Sequence, residues 1–189
     1  MKSATLMISG GGQGIINTMF EDKIKVILKE AEKMAKANEL TPRQEMHLRL
    51  LTEETLCMLP EILQYGSGTF WIENYYHKFE IHVRVKPTAV EKAERRGSAS
   101  LEKRGILRRI CNAFDNIVNE SQKQLTDPQK RMMQWSLMIY IENLKRSGKS
   151  RHLDEWDELE KSIIANLADN VTITTFDDDI EIVVEKMLD

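Results

Sequence analysis

From Lys78 to Lys86 the chain alternates strictly: Phe79, Ile81, Val83 and Val85 share one side of an extended segment, and Glu80, His82 and Arg84 share the other. A period of two fits a pleated strand, whereas a helix would scatter these side chains around its axis. One apolar face and one charged face is the pattern of an antiparallel sheet that buries a single side, because parallel sheets are covered on both. Such a sheet needs a second layer of structure on its apolar face. The remaining sequence therefore has to supply helices with an apolar stripe.

The strongest of these lies just upstream. At 100° per residue, Leu48, Leu51, Thr52, Thr55, Leu56, Leu59, Ile62 and Leu63 form one broad apolar face. Met46, Leu50 and Cys57 form a second, narrower stripe that contains Glu53. A helix apolar on two sides is expected to pack on two sides, with Glu53 facing something other than open water. Thr41 is the expected N-cap, Pro42 fits the first turn and Glu45 is placed for reciprocal capping. Pro60 is expected to kink or end the helix.

An earlier helix runs from about Thr18 to Ala37, with Phe20, Ile24, Ile27, Leu28 and Ala31 at helical spacing. Thr5 to Ser9 reads as a short first strand. Thr69 to Glu73 pairs with the 78–86 strand around a turn at Asn74-Tyr75-Tyr76, and Gly66-Ser67-Gly68 is the exit from the preceding helix. Val171 to Phe176 pairs with Ile180 to Lys186 across Asp177-Asp178-Asp179, a run of turn formers. Residues 87–104 are polar and short of large apolar side chains, which predicts a mobile loop or a weak helix. Ile106, Leu107, Ile110, Phe114, Ile117 and Val118 mark a helix. Asp127-Pro128 opens another, with Met132, Trp135, Met138, Ile139 and Ile141 as its apolar members. Trp156, Leu159, Ile163, Ile164 and Leu167 mark a third. The prediction is one domain over 1–189 of the α/β (α+β) class. It is a two-layer sandwich of a mostly antiparallel sheet with helices packed on one face, plus a helical insertion at about 120–168.

Composition excludes several functions. A net charge of −3 argues against a dedicated nucleic-acid binder. No apolar run approaches the roughly 20 residues needed to span a bilayer, and the start lacks the apolar core of a signal peptide. Cys57 and Cys111 sit in apolar helical patterns and read as reduced, buried small hydrophobes of a cytoplasmic protein. The four histidines are scattered, and no metal-ligand spacing is present.

The order of elements, with these residues, resembles the histidine-kinase-like ATPase superfamily (the GHKL or Bergerat fold) and its small anti-sigma-factor-like bacterial group of ATP-binding proteins. Leu50-Leu51-Thr52-Glu53-Glu54-Thr55-Leu56-Cys57-Met58 resembles the N-box helix. Phe70 to Val85 resembles the hairpin leading to the adenine-reading aspartate. Gly105-Ile106-Leu107 resembles the glycine turn after the ATP lid, and Val171 to Met187 the closing hairpin. The resemblance implies an ATP site, with magnesium, between the N-box helix and the lid. Glu53 would be its base near the phosphates, Cys57 would occupy the magnesium-ligand position, and Gly97, Lys103, Arg104 and Gly105 would lie in and at the end of the lid. Two departures stand out. The N-box needs an asparagine four residues after its glutamate, and this chain has Cys57, a poor magnesium ligand. The strand ends Val85-Lys86-Pro87-Thr88, without the aspartate and the Gly-x-Gly turn.

The expectation is therefore a cytoplasmic regulatory protein on this fold, binding ATP weakly or not at all and acting by contact with a protein partner. The alternatives are an active magnesium-dependent ATPase or anti-sigma-type serine kinase, and a purely structural module that dimerises through an exposed sheet edge or its added helices. Gly10-Gly11-Gly12-Gln13-Gly14 and Ser147-Gly148-Lys149-Ser150 each lack the rest of a phosphate loop. Lys92, Arg95, Arg96, Arg108 and Arg109, with Lys103 and Arg104, fit a solvated lid better than a phosphate clamp, because Glu91, Glu94 and Glu102 are interspersed. Among the aromatics, Trp135 and Trp156 fit core helix faces. Tyr75 and Tyr76, at a hairpin tip, are the interaction candidates.

Overall fold

The computed structural model describes residues 1–9, 16–63, 66–87, 134–147, 162–176 and 179–188, together with positions 110, 112, 113 and 116. Its elements in chain order are β1 (Leu6–Ser9), α1 (Ile16–Ala37), α2 (Pro42–Ile62), β2 (Gly66–Tyr75), β3 (Lys78–Pro87), β4 (Gln134–Ser136), α3 (Leu137–Ser147), α4 (Ile163–Leu167), β5 (Asn170–Phe176) and β6 (Asp179–Met187). The six strands form one sheet in the order β1-β2-β3-β6-β5-β4. Every neighbouring pair is antiparallel. This is the α+β sandwich that the alternating strand demands.

The core lies between the apolar face of the sheet and the helices. Phe79, Ile81, Val83 and Val85 of β3 are all buried, as are Ile180, Ile182 and Val184 of β6. All eight residues of the broad α2 face are buried, Leu48 through Leu63. The two hydroxyls in that face return to the helix itself: Thr52 Oγ1 donates to the Leu48 carbonyl and Thr55 Oγ1 to that of Leu51, each at 2.7 Å. Helix α1 adds Ile27, Ala31, Met34 and Ala35 to the same core. Each fully buried aliphatic side chain contributes roughly 1.5–3 kcal/mol, so this shared interface holds the two layers together.

Several expectations are corrected. The second α2 stripe is not a packed face, since Met46 is 61% exposed and Cys57 is exposed, while Leu50 is only half-buried. The reciprocal cap of Thr41 is Gln44 rather than Glu45. The Gln44 Oε1 accepts from the Thr41 amide at 2.8 Å, because the third helical residue is the one whose side chain folds back over the cap. Helix α2 continues two residues past Pro60. Proline lacks only its own amide hydrogen, and that loss is tolerable where the helix is about to end. Gly66-Ser67-Gly68 belongs to β2, paired with Pro87, Lys86 and Val85.

The stretch expected to be wholly helical contains a strand. Gln134-Trp135-Ser136 is β4, with Trp135 opposite Ile173, so Trp135 is not on a helix face. Met138 and Ile139, expected in the core, are 53% and 54% exposed. Ile110, in the predicted helix after Gly105, is helical and fully buried. The 87–104 segment beyond Pro87, Cys111 and Trp156 lie outside the described residues. Among the described residues no helix is long and apolar enough to cross a membrane.

Candidate functional site

The hairpin turn is tighter than expected. Tyr75 pairs with Lys78, so the loop is Tyr76-His77 alone. Both residues have positive φ, 49° and 68°. Positive φ at both central positions is the requirement of the two-residue turn whose twist matches its strands. The turn fixes the register: Glu73 stands opposite Glu80, and Trp71 opposite His82. On the next strand Glu185 stands opposite Glu80, and Glu181 opposite Arg84. All these side chains lie on the sheet face away from the core residues of β3.

Three glutamates, Glu73, Glu80 and Glu185, therefore line up across three strands. Like charges directly opposite one another destabilise a sheet, and cations placed among them offset this. Lys78 Nζ lies 2.7 Å from Glu80 Oε1 and 3.2 Å from Glu185 Oε2. The hydrogen bond to Glu80 is the main reason that Lys78 is held above its ordinary pKa, against the pull of burial. Residues 1–3 run along the edge of β2, with the Asn74 amide donating to the Met1 carbonyl at 2.7 Å and the Ser3 amide to the Ile72 carbonyl at 2.8 Å. That segment places Lys2 Nζ 3.0 Å from Glu73 Oε1 and 4.3 Å from the centre of the Trp71 ring.

Trp71 and His82 form the middle of the cluster. Their rings stack at 4.7 Å with 6° between planes, and the residues are only 6% and 9% exposed. A charged face was expected here, and the structure buries an aromatic pair within it. The Trp71 Nε1–H donates to Glu73 Oε1 at 2.8 Å, and the Tyr75 hydroxyl donates to Glu73 Oε2. The Tyr75 bond, against the opposing effect of burial and with help from Lys2 and Trp71, pulls the Glu73 carboxyl down to about 2. Burial alone would push Glu181 up. The hydrogen bond from His82 and the charge of Arg84 outweigh it and hold Glu181 below its ordinary value.

His82 touches a carboxylate at each nitrogen. Nδ1 lies 3.1 Å from Glu181 Oε1, and Nε2 lies 3.3 Å from Glu80 Oε2. An ionised carboxylate only accepts, so the hydrogen bond between Nδ1 and Glu181 is one in which the ring nitrogen donates. Nε2 is buried and makes no hydrogen bond among the described residues. Its distance to Glu80 would permit one, but its direction does not. One ligand atom each from Glu73, Glu80 and His82 lies within 4.8 Å of the other two.

The residues of the resembled ATP site fall elsewhere. Glu53 is on the surface of α2, its side chain 40% exposed and its Oε1 3.1 Å from Arg49 Nε. Arg49 Nη1 in turn lies 3.3 Å from Glu32 Oε1 on α1. Cys57, one turn on, is also exposed. Gly97, Lys103, Arg104 and Gly105 lie outside the described residues. The structure thus brings Glu53 to an arginine of its own helix. The sheet-face cluster was missed because its members are separated in sequence. The available signal was Glu80-x-His82 on one face of a strand, with Glu73 across a hairpin. No protein-family model, no curated protein and no solved structure matches this chain.

Proposed function

We propose that this protein is a regulatory protein on the histidine-kinase-like ATPase frame, that it binds ATP weakly or not at all, and that it acts through contact with another protein at the tip of the β2–β3 hairpin. The observation that carries the reading is Tyr76, which is 96% exposed and held at a φ of 49°. The turn requires positive φ at this position but not an aromatic ring, and glycine or asparagine would supply it at lower cost. Tyr75 at 54% and Met187 at 45% exposure lie at the same end of the sheet, where Lys78 pairs with both. Tyrosine offers a partner a broad apolar surface with a polar tip, at low entropy cost. Hydrolysis is disfavoured by the capture of Glu53 by Arg49 and by a thiol where the family has its magnesium-binding amide.

Two measurements test this. A thermal melt with about 1 mM ATP and magnesium is expected to shift by a degree or less, since a ligand near its dissociation constant adds only about 0.4 kcal/mol. A magnesium-dependent shift of several degrees, lost in Glu53→Gln, would replace the regulator with an ATPase or serine kinase. Affinity capture with the native chain and with Tyr76→Gly is expected to recover a partner only with the native chain. Glycine keeps the turn, so equal recovery with both would remove the hairpin tip from the reading.

A further inference from the structure

We propose that Glu73, Glu80 and His82 form a binding site for a first-row divalent transition metal ion of the zinc type. The inference is independent of the regulatory reading. It begins with His82. Nδ1 lies against Glu181, which can accept a hydrogen from it, so Nε2 is the ring nitrogen that His82 can offer to a metal as a lone pair. That lone pair is buried in a residue only 9% exposed, and it has no hydrogen-bond partner among the described residues. The atom it meets at 3.3 Å is Glu80 Oε2, another acceptor. Two acceptors this close with no hydrogen between them repel, and a cation within reach of both turns that repulsion into two bonds. A histidine that gives one ring N–H to a carboxylate and its other nitrogen to a metal is the usual orienting arrangement of metal sites.

The remaining donors fit the same ion. Lys78 occupies Oε1 of Glu80 and leaves Oε2 on the His82 side. Glu73 is steered by the Trp71 indole and Lys2, which both engage Oε1, and by the Tyr75 hydroxyl, which engages Oε2 and leaves that oxygen one further lone pair for a metal. Metal–ligand bonds of about 2.0–2.2 Å put neighbouring ligands roughly 3–3.5 Å apart. Three atoms within 4.8 Å of one another reach this by closing a little over an ångström. Charge favours it too. Glu73, Glu80, Glu181 and Glu185 carry four negative charges against three from Lys2, Lys78 and Arg84, all within this cluster. One imidazole and two carboxylates suit zinc, manganese or ferrous iron over magnesium or cuprous ion. Three protein ligands leave a coordination position open, as in metal sites that bind a further small ligand.

Zinc titration of the full-length protein, followed by calorimetry, tests the site. The native chain and Cys57→Ser are expected to bind one zinc per chain with equal affinity. Glu80→Gln and His82→Gln are expected to lose at least a hundredfold, and Glu181→Gln, which only positions the ring, about tenfold. Because a core variant of this kind can fail to fold, the native chain is also titrated with cobalt, whose absorption distinguishes oxygen and nitrogen ligands from a thiolate. A spectrum without thiolate character supports the site. No stoichiometric binding, binding unchanged by Glu80→Gln, loss of binding in Cys57→Ser, or a thiolate spectrum would each overturn it.

Discussion

A Cβ built on Gly68 would stand 2.9 Å from Leu63 Cδ2 and 3.1 Å from the Arg84 carbonyl oxygen. Leu63 is the residue that ends α2, and it is 4% exposed. Gly68 therefore lets the end of the helix rest directly on the β2–β3 pair, an approach that any side chain would block. The leucine methyl could move aside, but the carbonyl belongs to a paired strand and cannot. Gly68→Ala is expected to destabilise the protein by about 1–3 kcal/mol, the usual cost of overpacking. Urea denaturation gives the difference, and a variant as stable as the native chain would show that α2 does not bear on the sheet at this point. The sequence presents Gly66-Ser67-Gly68 as a loop, because glycines near a helix end usually mark a turn. Only the partner strand reveals that the third of them is a packing residue.

At the scale of elements, α2 was legible on its broad face and misleading on its narrow one. The 100° pattern picks out eight residues that are all buried, because the broadest apolar face is the one that meets the sheet, but it leaves out Met58, which is also fully buried. The stripe of Met46, Leu50 and Cys57 has the same spacing, yet Met46 and Cys57 stay exposed, and no local pattern encodes whether another element will bury them. Leu51→Ala is therefore expected to cost about 2–5 kcal/mol and Met46→Ala less than about 0.5 kcal/mol. A chemical-denaturation series that found the two alike would contradict this division of the helix. Strand β4 was not legible for a different reason. Trp135 lies three residues before Met138, which imitates a helix, and the three-residue strand exists only because β5 pairs with it. The β5–β6 hairpin was read nearly to the residue, and it carries a titration. Burial would raise the Asp169 carboxyl, but the Met187 amide at 2.6 Å and Lys186 at 2.9 Å lower it below its ordinary value. A depressed carboxyl contributes stability above its unfolded pKa of about 3.9 and loses it as pH falls through the folded value. Because this side chain is 46% exposed, the contribution is expected to be under about 1 kcal/mol. The stability gap between the native chain and Asp169→Asn should be constant above pH 5 and close as the solution is acidified toward pH 3. A gap that persists unchanged to pH 3 would rule out the carboxylate as its source.

For the molecule as a whole, the sheet-face cluster shows what a linear reading cannot assemble. A turn at 74–76 does not place Glu73 opposite Glu80. The actual Tyr76-His77 turn does, and in a pleated sheet a shift of one residue sends every side chain to the other face. Lys2 reaches the cluster only because residues 1–3 run along β2. The same sheet bears on whether two copies can pair edge to edge. Its outer strands, β1 and β4, are four and three residues long, and short edge strands offer little backbone to a second sheet. On the β1 side Lys23 Nζ also covers the Met7 carbonyl at 3.2 Å, and a lysine at an edge is a recurrent block against strand pairing. Dimerisation through a sheet edge is therefore disfavoured at both ends. Light scattering on the purified chain is expected to give the mass of one protomer at every concentration tested. If it gave twice that mass, the Met7→Lys variant would locate the contact. Met7 is 67% exposed on β1, so a dimer abolished by that change would mean that the β1 edge pairs after all, despite its length and its lysine.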